Sequence, residues 1–295
     1  MLYTYELEDI GAKRRKGVTM GTERDSELLR GLQEEGQKRP ELEDIIGFHQ
    51  ELIKARAEVE PRVPHLEPAE GEVEELLDQR IPLLRRWEPL WDEESFFRLA
   101  GQICEIGAHH RQELASRFEE IGSLLADDRN QARKIVIDYL REGRVELPER
   151  PDIDQELLSF VLNNALHPFL QAYSAILTPL IKDEKWYQRF CPVCGGEPDF
   201  GYLEETVGGL RLLCSNCDTL WVYKRGECTF CGNHEKDTFA YYVGDDDVYR
   251  LYVCDKCKRY LKVLDGRQTA GKPLLPLERI TTLGMDMAAR QEGYH

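Results

Sequence analysis

Eight of the nine cysteines fall into four Cys-x-x-Cys pairs: Cys191/Cys194, Cys214/Cys217, Cys228/Cys231 and Cys254/Cys257. They occupy 67 consecutive positions, and the other 228 residues hold only Cys104. Two thiolates separated by two residues sit on a tight knuckle that offers both sulfurs to one metal, and two knuckles complete a closed tetrahedral site. Eight cysteines therefore suffice for two such sites. An all-thiolate set suits zinc or a single iron. It leaves no open position for a bound water, which argues against zinc-dependent hydrolysis.

Disulfides are the competing use of these residues, but they belong to short secreted domains that cannot build a core. This chain has 295 residues, opens MLYTYELEDIGAKRRKG and shows no apolar signal core. Arg14-Arg15 is followed by polar GVTMGTERDSELL, where a twin-arginine signal would be greasy. No run approaches the roughly 18 apolar residues of a membrane span. A cytosolic location, with reduced thiols and bound metal, is the expectation.

Spacing suggests which pairs share a metal. Nineteen residues separate Cys194 from Cys214 and 22 separate Cys231 from Cys254, whereas only 10 lie between Cys217 and Cys228. Cys191 to Cys228 is 37 positions and Cys214 to Cys254 is 40, as in one ribbon module written twice. The first site would use Cys191, Cys194, Cys214 and Cys217, and the second Cys228, Cys231, Cys254 and Cys257. A cross-braced set, first pair with third and second with fourth, stays open on spacing alone. Gly195 and Gly232 each follow a second knuckle cysteine, as in rubredoxin and zinc knuckles, while Asp218 and Lys258 take that place in the other two pairs.

The elements that must hold these knuckles are short and β-like. Leu210–Leu213 follows the turn at Gly208-Gly209, and Leu220–Tyr223 follows Cys217. Phe239–Val243 and Val248–Val253 flank Gly244-Asp245-Asp246-Asp247 as a hairpin. Their aromatics read as core packing in modules too small to bury much else. Upstream, apolar residues recur at helical spacing in Leu42, Ile45, Ile46, Leu52 and Ile53, within a segment from about Glu41 to Glu60 that Pro61 and Pro64 end. Phe96, Leu99, Ala100, Ile103 and Ile106 repeat the pattern. Leu114, Phe118, Ile121, Leu124 and Leu125 continue it in the same helix or the next. Asn130–Arg141 forms another segment, and Asp152 or Asp154 would cap the long apolar stretch Gln155–Ile181, in which Pro168 and Pro179 are kinks or breaks.

The expected architecture is α+β: an N-terminal all-α helical bundle, two tandem rubredoxin-like or zinc-ribbon β modules, and a C-terminal helix. The expected boundaries are 1–38 for a charged arm, 39–186 for the helical domain, 187–226 and 227–272 for the two modules, and 273–295 for the last helix.

Other reactive residues are few. Cys104 reads as a buried core thiol. His109 and His110 are adjacent, so they point to different helix faces and cannot chelate together. His234, close after Cys231, is a candidate to support a ligating sulfur or to replace one, with little need to do either. There is no phosphate loop, dinucleotide fingerprint or nucleophile elbow. The net charge of −16 and pI near 5.0 oppose nucleic-acid binding. From Cys191 to Asp265, nine Lys/Arg stand against 13 Asp/Glu; Lys256, Lys258, Arg259 and Lys262 form a small basic cluster expected on a solvated face.

From about Asn163 onward, the chain resembles the FdhE family of formate dehydrogenase accessory proteins. The resemblance rests on Phe190-Cys191-Pro192-Val193-Cys194-Gly195 and on Leu210–Cys217 with Trp221 just after it. It extends to Cys228-Thr229-Phe230-Cys231-Gly232 and to Cys254–Lys262. Ala165-Leu166-His167-Pro168-Phe169-Leu170 is similar to the family's Leu-Arg-Pro-Phe-Leu segment, with His167 in place of the Arg. Leu283–Ala288 and Glu292-Gly293-Tyr294 resemble its closing helix. The resemblance implies a cytoplasmic maturation factor that binds the catalytic subunit of respiratory formate dehydrogenase. It also implies two rubredoxin-like metal sites on the eight cysteines, with iron the reported metal and zinc the alternative. It supplies no catalytic residue, so a non-enzymatic assembly protein is the expected function. A rubredoxin-type electron carrier is the second reading, and a nucleic-acid-binding ribbon the third.

Overall fold

The computed structural model describes residues 20–295 except 62, 64, 65, 88, 90, 207, 245, 246 and 270. Residues 1–19 of the expected arm, and part of the hairpin turn at 244–247, lie outside the described residues. The remainder of the expected arm forms helix α1 (Met20–Lys38), which buries Leu28 and Leu32.

The helical layer follows the periodicities closely. Helix α2 spans Glu43–Ala57 and buries Ile46, Leu52 and Ile53. Two short helices, α3 (Glu72–Asp78) and α4 (Leu83–Arg86), lead to α5 (Glu93–His110), which starts on an Asp92 cap. The chain breaks at Arg111, so the Leu114–Leu125 pattern belongs mainly to a separate helix, α6 (Ala115–Asp127). Helix α7 (Arg129–Glu142) ends on left-handed Gly143, which needs no Cβ there. Asp154, whose Oδ1 accepts the Leu157 N–H at 3.0 Å, caps α8 (Gln155–Leu177); Asp152 pairs instead with Arg150. Pro168 sits inside α8, and Pro179 falls in the 3-10 turn beyond it. Among the described residues, no helix is long and apolar enough to cross a membrane.

The two cysteine-bearing halves form one sheet. Strands β1 (Pro198–Leu203), β2 (Leu210–Cys214) and β3 (Leu220–Tyr223) come from the first half. Strands β4 (Phe239–Val243), β5 (Tyr249–Cys254) and β6 (Arg259–Asp265) come from the second. The order is β3-β2-β1-β6-β5-β4, with β1 and β6 parallel in register Phe200↔Lys262 to Leu203↔Asp265. Sequence patterning identified four of the six strands and missed these two central ones. In β6, Leu261 to Asp265 are all buried, so no alternation marks it.

Lys262 is also buried, at 4% exposure, correcting the expectation of a solvated face. Its ammonium donates to Asp286 at 2.6 Å and to the Arg279 carbonyl at 2.8 Å. Lys256 and Lys258 do stay exposed. The aromatics divide: Trp221 and Tyr223 are buried, whereas Tyr241 and Tyr242 on edge strand β4 remain 50% and 61% exposed.

The closing segment is two helices, α9 (Leu275–Thr281) and α10 (Leu283–Gln291), separated at Thr282. Helix α9 packs Ile280 and Leu277 against Leu28, Leu32, Ile46 and Ile53, so the C-terminus covers the seam between α1 and α2. The main core is continuous from the helices into the first half of the sheet, joining Phe96, Phe118 and Phe169 to Val193, Leu212 and Trp221.

Candidate metal centres

Each knuckle makes a reverse turn closed by its own backbone. The Gly195 N–H donates to the Cys191 carbonyl at 3.0 Å, and the Gly232 N–H to the Cys228 carbonyl at 2.9 Å. In the other two, Asp218 N–H reaches the Cys214 carbonyl at 3.2 Å and Lys258 N–H the Cys254 carbonyl at 2.8 Å. All four residues following a second cysteine are left-handed: Gly195 (φ 78°), Asp218 (φ 55°), Gly232 (φ 74°) and Lys258 (φ 56°). The knuckles thus share one geometry, and two of them impose it on a residue with a Cβ, at some conformational cost.

These turns gather the sulfurs of Cys191, Cys194, Cys214 and Cys217 into one group and those of Cys228, Cys231, Cys254 and Cys257 into another; within each group all four lie within 4.8 Å of one another. The sulfurs are therefore grouped first pair with second and third with fourth, not cross-braced. Sulfur separations are 3.6 Å for Cys191–Cys217, 3.4 Å for Cys194–Cys214, 3.7 Å for Cys228–Cys257 and 3.6 Å for Cys231–Cys254. A tetrahedral ion with 2.3 Å bonds to sulfur needs edges of about 3.8 Å, so both sets fit a single ion. They are far outside the roughly 2.05 Å of a disulfide.

The electrostatics point the same way. Burial pushes the Cys191, Cys214 and Cys217 thiols up, and at Cys214 and Cys217 that direction wins. Cys191, supported by hydrogen bonds from Cys194, Cys214 and Cys217, is instead held well below the usual thiol range. Four adjacent sulfurs cannot all carry negative charge unaided, but a divalent or trivalent cation removes that obstacle. His234 is exposed, with Nδ1 3.5 Å from the Gly232 carbonyl, and joins neither group. Cys104 is buried, its thiol pushed up to about 12 by burial. Exposed His109 meets half-buried His110 edge to face, with ring centroids 5.2 Å apart, and His110 Nε2 lies 3.3 Å from Glu51.

The first site is built into the junction with the helices. The Leu83 and Leu84 N–H groups donate to the Pro192 and Val193 carbonyls at 2.9 Å, and Gly196 lets the chain approach where a Cβ would lie 2.8 Å from Asn216 and 3.1 Å from Cys214 Sγ. Behind Cys217, the side chain of Asp218 is 3% exposed and joins four partners from three helices. Arg24 of α1 is 3.1 Å away, Gln171 and His167 of α8 are 2.9 and 3.3 Å away, and Arg279 of α9 is 2.9 Å away. His167 Nε2 is within ion-pair distance without hydrogen-bond alignment. Burial pushes the Asp218 carboxyl up, but Arg279, His167 and Arg24 together hold it well below its usual range. Burial, with Arg56 adding to it, lowers His167 to about 4. Sequence reading singled out His167 but missed this convergence, because Arg24, Gln171, Asp218 and Arg279 are far apart along the chain.

No protein-family model matches the chain. It is 26% identical over 265 residues to an FdhE homologue from Aquifex aeolicus, covering 88% of each chain. It is 30% identical over 111 residues to an FdhE homologue from Shewanella oneidensis, covering 36% of each. Its fold matches the crystal structure of the FdhE protein from Pseudomonas aeruginosa with a TM-score of 0.60 at 19% identity, covering 93% of this chain and 92% of that one. The chain is thus similar to FdhE proteins in sequence along most of its length and in fold along nearly all of it.

Proposed function

We propose that the protein is a cytoplasmic, non-enzymatic accessory factor that binds the catalytic subunit of a formate dehydrogenase and assists its assembly. In this reading, Cys191, Cys194, Cys214 and Cys217 hold one metal ion and Cys228, Cys231, Cys254 and Cys257 a second. The single observation that supports it most is the pair of closed tetracysteine clusters on a fold shared with FdhE proteins. A tetrathiolate iron would supply one-electron transfer without ligand exchange, whereas zinc would supply shape.

The chain's own residues would hold the first site rigid: the Leu83 and Leu84 amides brace one knuckle, and Asp218 ties the other to α1, α8 and α9. The test is co-purification of the full chain with the formate dehydrogenase catalytic subunit, alongside metal analysis of protein isolated without air or added metal. A stoichiometric complex with two metals per chain is expected. Failure to bind the subunit, with both metals present, would overturn the assembly role and leave the metal reading standing.

A further inference from the structure

The two cysteine groups share a turn geometry and differ in nearly everything around it. Cys191, Cys194, Cys214 and Cys217 are all buried, whereas Cys231 is exposed and Cys257 half-exposed. The first set is walled by the helical domain: a Cβ on Gly195 would come within 3.3 Å of Pro82. The equivalent Gly232 would meet only the tip of Arg189, at 3.7 Å.

Support of the sulfurs differs as well. In the first group, Cys191, Cys194 and Cys214 receive N–H donors from Val193, Gly196 and Asn216 at 3.4 Å, and Cys217 shares a 3.0 Å contact with the Thr219 hydroxyl. In the second, Phe230 N–H serves Cys228 at 3.4 Å, Asn233 Nδ2 serves Cys254 at 3.5 Å, and Arg259 N–H supports Cys257. Among the described residues, no N–H or O–H group donates to Cys231 Sγ. Donors to a coordinating thiolate delocalise its charge and fix its position, and such outer contacts typically change metal affinity by about 10- to 100-fold.

We propose that the two centres differ in kind. The first is a fixed staple between helices and sheet; the second is an exchange site whose metal is open to external thiolate or nitrogen ligands through Cys231. This rests on the reading that both groups hold metal. With a metal bound, Cys231 would be the ligand displaced, its sulfur taking the proton that the incoming thiol or protonated nitrogen donor gives up as it binds in that place. No electron moves. Cys228 and Cys254, both buried, keep their hold until later.

The test begins with full-length protein carrying both metals, challenged with excess EDTA while a chromogenic chelator reports release. Two phases of one metal each are expected, the faster by about 10- to 100-fold. Cys254→Ser should abolish the fast phase and Cys214→Ser the slow one. Because Cys214→Ser can fail to fold, pulse alkylation of the intact wild type with iodoacetamide, read by peptide mass spectrometry, provides an independent measurement. Cys231 should label first and Cys257 next, with the four first-site cysteines last. Release of both metals in one phase, or labelling of first-site cysteines as fast as Cys231, would overturn the proposal. A chain that neither carries nor takes up metal would overturn the underlying metal reading along with it.

Discussion

Asp218 serves two roles at one position. Its backbone takes the left-handed turn that a glycine would take, and its carboxylate holds Arg24, Gln171, His167 and Arg279. Replacing it with Ala keeps the strained turn and leaves Arg279, whose side chain is 17% exposed, short of a partner. Breaking one side of a buried ion pair costs about 3–5 kcal/mol. Asp218→Ala is therefore expected to lower unfolding free energy by about that amount in denaturant titrations, with Asp218→Asn milder because Asn tolerates the left-handed region and keeps hydrogen bonds.

His167 gives this cluster a pH dependence. Burial and Arg56 hold its folded-state value near 4, below the ordinary 6.5. Between those values the unfolded chain binds the extra proton, so stability falls as pH drops from 6.5 toward 4 and this contribution levels off below. His167→Gln should flatten that part of the stability profile, measured by denaturant titration at several pH values; an unchanged slope would show that His167 is not its source.

At the scale of elements, α5 and α6 approach closely because Gly107 has no side chain. A Cβ there would fall 2.3–2.6 Å from the ring of Phe118, which is itself 2% exposed. Helix propensity alone favours Gly107→Ala by up to about 1 kcal/mol, but forcing volume into a packed core costs about 1–3 kcal/mol. The substitution is expected to destabilise, and thermal unfolding would reveal the sign.

The sheet shows a related dependence on neighbours. β1 and β6 are central because they pair with each other in parallel, a contact that merges the two cysteine-bearing halves. Neither half's local patterning encodes that pairing. Edge strand β4 is half-exposed or exposed along its whole length, so its Phe, Ala, Tyr and Val read like core but lack a covering layer.

The whole molecule is closed by its last residues. α9 fills the α1–α2 seam, Arg279 spans Asp199 and Asp218, and Asp286 of α10 neutralises buried Lys262. A chain ending at residue 272 would uncover Leu28, Leu32, Ile46 and Ile53 together and leave Lys262 without its carboxylate. Such a truncation should release α1 to proteolysis and promote aggregation, read by limited digestion and size-exclusion chromatography. Asp286→Ala is the finer test: it removes one ion-pair partner while leaving the apolar seam intact, and about 3–5 kcal/mol of stability should be lost.

The sequence alone determined the eight knuckle cysteines, the principal helices and four of the six strands. Each depends on spacing within a short stretch: two residues across a knuckle, three or four along a helix face, two along a strand. Asp154 could be read as a cap for the same reason. Tertiary structure decided what depends on residues far apart: the parallel β1–β6 pairing, the burial of Lys262 beside Asp286, and the convergence on Asp218. It also separated a sealed cysteine cluster from an exposed one. The two are nearly alike as sequence, because exposure is set by which other elements cover a knuckle: the first lies against the helical domain, while the second meets α10 and the residues after it, which leave Cys231 exposed.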